Sequence, residues 1–360
     1  MRSMFWCLLA LTPALSPGVV HATAALTALS ASTIETLPAP APAPNLVRDP
    51  GAEERIVDID VVLVSGLQSG PALWKVSKGE HALWILGTVS PVPKRMDWYS
   101  PEAESVIAKS QEIIGRPGFV GDVGVSGMFK MAFAMPTMLR ARNNPDGKEL
   151  QDVLPPDLYA RWLALKPIYL GKDRDIEKRR PVFAAAELYE AAIKRAGLTP
   201  STGVGKRVNE LVKQHGVKQT STHVRRKIED PKRLARSFAQ AEVNDVQCFR
   251  NILDRLEADV ASAAQRANAW AIGDIAEITR LFNYASLVPC WEALAQTEAA
   301  RSMGMGEGMA RSQAQWLEAA EAALAANSTS FATLPMADLL DADGLLARLK
   351  ERGYEVVVPE

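Results

Sequence analysis

Two apolar runs only a few residues apart constrain this chain more than any other feature. Ala-Leu-Trp-Lys-Val (72–76) and His-Ala-Leu-Trp-Ile-Leu (81–86) are joined through Ser77, Lys78, Gly79 and Glu80, which is the pattern of a β-hairpin. A further alternating run, Ile-Val-Asp-Ile-Asp-Val-Val-Leu-Val (56–64), precedes them, and Gly70-Pro71 breaks the chain between. The C-terminus supplies Ser-Phe-Ala-Thr-Leu (330–334) and Glu-Val-Val-Val (355–358) on either side of a helix expected over 342–352. Strands at both ends of a largely helical chain predict one α/β domain, a mixed sheet with flanking helices, spanning 55–360. With 48% hydrophobic residues, the chain has ample material for its core.

The helices announce themselves by their ends. Ser100 caps a helix opened by Pro101 and running to 109, and a short strand follows at 112–114. Pro155-Pro156-Asp157 starts another helix to 165, and 181–196 forms one more, stopped by Gly197. Residues 231–282 have helical spacing almost throughout, with a break at Gly273-Asp274, and helices continue over 289–326. Met128, Met131, Met135 and Met138 share one helical face, which reads as core packing. A Met-lined groove for a hydrophobic partner is the functional alternative, with Pro136 inside the stretch.

The N-terminus reads as a secretory signal over 1–24. Arg2 precedes an apolar run of 11 residues, 5–15, shorter than the ~20 a membrane-spanning helix needs. Small residues place cleavage after Ala22 or Ala24. Residues 25–54, ending their Ala/Pro alternation at 44, form a linker that favours extended polyproline II. The expectation is a periplasmic or secreted protein that is not transmembrane after cleavage. Cys248 and Cys290 remain once Cys7 leaves with the signal, and their spacing is compatible with a disulfide or with two buried thiols.

Charge excludes one partner class. Forty-one Lys and Arg against 42 Asp and Glu give a net charge of -1, which argues against nucleic acid. The asymmetry lies between Lys206 and Arg236, where ten basic residues face only Glu210, Glu229 and Asp230. That segment reads as a solvated basic face able to contact anionic lipid head groups or acidic polymers. The Gly-rich stretch from Met303 to Met309 lacks the strand and the Lys of a phosphate loop, and reads as a flexible lead into the helix carrying Arg311.

Four segments in order carry a family resemblance: Leu73-Trp74-Lys75-Val76, Leu83 to Thr88, Ala269 to Asp274 (Ala-Trp-Ala-Ile-Gly-Asp), and residues 331–356. Together they resemble the TraB/GumN family, which includes the Tiki proteins. The resemblance implies an α/β fold and, in active members, metal-dependent peptide hydrolysis through two G-x-x-H motifs with supporting acidic and Arg residues. This chain departs from that pattern. Its first motif reads Gly87-Thr88-Val89-Ser90, and the second places Pro335 at the Gly position and Asp338 at the His position. Arg116 and His223 fall at the positions of two family acids, while Arg311 keeps its family identity.

Neutral imidazole is a far better zinc donor than a Ser hydroxyl, and an Arg in place of a carboxylate adds a repelling charge. The expectation is therefore no bound metal and no cofactor. The chain reads as a non-catalytic binding or regulatory protein of the cell envelope, its partner an unidentified ligand or peptide. The alternative is a hydrolase, metal- or Ser-dependent, in which Ser90, His223, Asp338 and Arg311 form a rearranged catalytic cluster at the same cleft. Pro91 weighs against the serine version, because it removes an amide that could serve an oxyanion hole.

Overall fold

A computed structural model describes residues 70–359 except 97, 123, 201–202, 229, 231–232, 234–235, 238–244, 282–299 and 302–303. The expected signal, linker and strand at 56–64 lie outside the described residues, as do Cys290 and most of 231–244 and 289–303. Cys248 is disulfide-bonded.

The chain begins with the expected hairpin, β1 (Leu73–Lys78) and β2 (His81–Thr88). The short β3 (Val92–Pro93), α1 (Pro101–Lys109), β4 (Glu112–Ile114), β5 (Gly118–Asp122) and α2 (Gly124–Arg140) follow. A helical middle comprises α3 (Leu150–Val153), α4 (Pro156–Tyr169) and α5 (Pro181–Arg195). Next come β6 (Leu198–Thr199), α6 (Val204–His215), β7 (Lys218–Thr220) and β8 (His223–Lys227). The long α7 (Asp245–Ile272), α8 (Ile275–Leu281) and α9 (Met305–Ala326) precede β9 (Thr329–Pro335), α10 (Met336–Leu340), α11 (Leu345–Glu351) and β10 (Glu355–Val357).

Six strands make the main sheet in the order β10-β1-β2-β9-β4-β7. β1 is antiparallel to β10 and β2, whereas β2, β9, β4 and β7 run parallel to one another. The sheet is therefore mixed, with the four parallel strands contiguous. Their faces bury Leu83, Ile85, Leu86, Ile114 and Phe331 against Trp270 of α7 and Trp316 of α9. A second core joins α4, α5 and α7 through Leu158, Trp162, Leu188, Phe249 and Leu253.

Most predicted boundaries hold, and the differences have local causes. Ser100 caps α1 by accepting the Ala103 amide, and Gly273 breaks α7 from α8 at φ +79°. α4 runs on to Tyr169, past the expected stop at 165, because Trp162 Nε1 (3.0 Å) and Lys166 Nζ (2.5 Å) both donate to Glu177 Oε1 and tie down its last turns. α11 starts at Leu345 and not at 342. The Asp341 side chain accepts the Asp343 amide and its carbonyl accepts the Gly344 amide, a turn that competes with helix. Most of the glycine stretch lies inside a helix and does not precede it: α9 begins at Met305, and Gly308 is a helical residue seated against the Phe119 ring. The Met segment is the helix α2, in which Met135 and Met138 are half-buried while Phe133 is 80% exposed.

Candidate functional site

Parallel strands deliver their carboxyl ends to one edge of a sheet, the usual place for ligand sites in α/β folds. Here each of the four parallel strands ends in a residue singled out from the sequence. β2 leads into Ser90, β9 into Asp338, β4 into Arg116, and β7 into His223. The register Thr88↔Pro335 aligns the ends of β2 and β9, and Ile114↔Ala332 with Ile114↔Thr220 aligns those of β4 and β7, which stop three residues earlier along β9.

Gly87 is where this edge is clamped. Trp270 Nε1 donates to its carbonyl at 2.7 Å. A Cβ at this position would stand 2.7 Å from Met336 Cε and 3.0 Å from both Leu339 Cδ1 and Trp74 Cζ3. All four segments that carry the family resemblance thus converge on one glycine.

Asp338 is 6% exposed, in the first turn of α10, and its carboxyl makes no hydrogen bond among the described residues. Burial, with Asp341 adding repulsion, pushes it up to about 7, against the pull of the Arg116 charge. Burial lowers the His223 imidazole, and the cations Arg116 and Arg225 lower it further. Arg116 therefore acts electrostatically on both groups. The His223 ring lies against Gly118, where a Cβ would stand 2.2 Å from His223 Cδ2.

The other two residues stand apart from this trio. β3 pairs with β6, Val92 opposite Thr199, and this brings the Ser90 hydroxyl to the Pro200 carbonyl, to which it donates at 3.0 Å. Neither Ser90 and His223 nor His223 and Asp338 are hydrogen-bonded to each other. Arg311 is on α9, 71% exposed at its side chain and 4.0 Å from Glu307.

These residues do not fit a divalent cation. A guanidinium acts on both the imidazole and the carboxyl, and the hydroxyl is engaged by a backbone carbonyl. Among the described residues no group of three or more His, Cys, Asp or Glu side chains is disposed to hold a metal ion. A depression of about 470 Å³ lined by Lys78, His81, Leu324 and Tyr354 lies at the amino end of β2, opposite the cluster, and includes none of these residues.

A buried network behind the Ser90 loop has no sequence signature. Asp259 accepts from the Tyr189 hydroxyl (2.6 Å), Arg255 Nε (3.0 Å) and Arg266 Nη2 (3.0 Å), and Arg266 Nη2 reaches the Pro91 carbonyl at 3.5 Å. Its members lie on α5 and α7, and only the register of those two helices reveals it.

The fold and this edge define a mixed-sheet α/β protein with a charged cluster at the carboxyl ends of four parallel strands. The model of the TraB/PrgY/gumN family matches residues 72–358, and the chain belongs to that family. No curated protein and no solved structure matches the chain.

Proposed function

We propose that this chain is a non-catalytic, ligand-binding member of its family that acts in the cell envelope. The observation that carries this reading is Arg116, a cation acting on both His223 and Asp338 at the strand ends, where an active centre would gather metal ligands. Export rests on the signal over 1–24 and the linker over 25–54, and the disulfide at Cys248 is the chemistry of an oxidising compartment. The test is a zinc and manganese titration of the purified chain by calorimetry, beside a peptidase assay on a mixed peptide library. Neither stoichiometric metal nor cleavage is expected. Stoichiometric metal together with cleavage, both lost in Asp338→Ala or His223→Ala, would overturn the reading.

One observation supports the hydrolase as a second reading: a buried carboxyl near 7 is suited to general acid-base work. In that case a fluorophosphonate probe labels the chain and Ser90→Ala abolishes the label. The Ser90 hydroxyl, donated to Pro200, is what weighs against it.

A further inference from the structure

Strands β4 and β5, and beside them β7 and β8, make one parallel ribbon that bends at the cluster. The Gly115 amide donates to the Thr220 carbonyl (2.8 Å) and the Thr222 hydroxyl to the Gly115 carbonyl (2.9 Å), carrying the pairing through the bend. Beyond it β5 pairs with β8 from Gly118↔His223 to Asp122↔Lys227. The inner face of this pair rests on α9, with Phe119 against Gly308, and with Arg226 against Gly304 and 4.0 Å from Glu307. The outer face presents Gly118, Val120 and Asp122 on β5, and His223, Arg225 and Lys227 on β8.

The three β8 residues are exposed, and Arg225 and Lys227 form no ion pair among the described residues. Four other cations of the basic segment are matched, among them Arg207 with Glu104 and Lys218 with Glu112. Among the described residues β8 has β5 on one side and no strand on the other. Its outward edge therefore offers backbone donors and acceptors beside two cations, Arg225 and Lys227, spaced ~6.6 Å, two residues of strand, with His223 one repeat before them.

We propose that the open edge of β8 docks an extended acidic peptide as an added strand, with carboxylates at alternate positions facing Arg225 and Lys227. An added strand has the same two-residue repeat as β8, so its charges stay in register while its backbone satisfies the edge. Lipid head groups or a uronate chain would neutralise the charge and leave both the edge and the register unused. The row begins at His223, the member of the cluster that β8 itself carries. This inference rests on the binding reading above and names the class of partner.

The competing role for such a row is to block edge-to-edge aggregation, in which case nothing binds. The full chain is titrated at low salt with a fluorescent peptide of alternating Glu and Val, with a peptide of the same composition in two blocks, with polygalacturonate and with phosphatidylglycerol vesicles. The alternating peptide should bind about tenfold or more tighter than the block peptide, with affinity falling as salt is added. Arg225→Gln combined with Lys227→Gln should lose at least about tenfold with unchanged circular dichroism. Lys206→Gln with Lys213→Gln, equal in charge change but on α6, should lose less than about threefold.

Equal binding of the two peptides, binding only to vesicles or polygalacturonate, no binding, or retention in the β8 variant would each overturn the proposal. Turnover of the peptide would overturn only the non-catalytic reading, so the two failures are distinguishable.

Discussion

Trp270 reaches across from α7 to donate its indole N–H to the carbonyl of Gly87 at 2.7 Å, just before the parallel edge opens into the charged cluster. Gly87→Ala inserts a methyl into a space closed by Met336, Leu339 and Trp74. The Met336 thioether can yield, while Trp74 in the packed core yields less, so a loss of ~1–3 kcal/mol is expected. Trp270→Phe strands the buried Gly87 carbonyl and should cost a similar ~1–3 kcal/mol. Urea denaturation checks both, the midpoint falling at constant slope.

That contact also shows what the sequence could reveal. Trp74, Gly87, Trp270 and Met336 lie in segments legible as strands, helices and family-typical patterns, since apolar alternation, Pro-opened helices and Gly stops are local signals. Positions 90, 116, 223 and 338 could be placed by laying the C-terminal and Trp-rich segments on the family pattern. The strands β5, β7 and β8 were not legible, because Gly-Phe-Val-Gly-Asp and His-Val-Arg-Arg-Lys carry too few apolar residues to alternate. β5 and β8 are held by pairing with each other and by α9, and β7 by pairing with β4, tertiary causes that no short window contains. The role of Arg116 was hidden for the same reason, since its partners are more than a hundred residues away in the chain.

Arg116 makes a prediction of unusual form, because its removal should move an acid and a base the same way. The cation repels the protonated His223 ring and attracts the ionised Asp338 carboxylate, so it holds both pKa values down. In Arg116→Ala both should rise. Two-dimensional NMR titration of labelled imidazole and carboxyl carbons reads them separately. A rise in one group alone would show that Arg116 faces only that group.

Asp338 sets a pH dependence of stability. Its ordinary value is 3.8 and the fold raises it to about 7, so between these pH values the native chain holds a proton that the unfolded chain has released. Stability therefore falls as pH rises through that window and levels off above it. Asp338→Asn removes the titration. The variant should match the parent near pH 4 and exceed it by about 2–4 kcal/mol at pH 8. Denaturation at a series of pH values gives the difference curve, and a flat difference would show that the carboxyl is ionised in the native chain throughout.

Asp259 is the counter-charge that keeps two arginines inside the helical layer. Its side chain and that of Arg266 are 8% and 5% exposed, and Arg266 also reaches the carbonyl of Pro91, next to Ser90. Replacing a buried pair with apolar groups can be neutral, but removing one partner leaves a buried charge uncompensated, at about 3–5 kcal/mol. Asp259→Ala should therefore cost about that much, while Asp259→Asn, which keeps one acceptor oxygen, should cost less. The loss should also appear locally: with Arg266 unanchored, the amides of Val92 and Lys94 should exchange faster in the variant than in the parent, at conditions where both are folded. Protection there depends on the Lys94 amide bonding to the Gly197 carbonyl and on β3 pairing with β6. Unchanged exchange at these two amides, with global stability reduced, would mean that the network supports the helical core alone and leaves the Ser90 loop to hold itself.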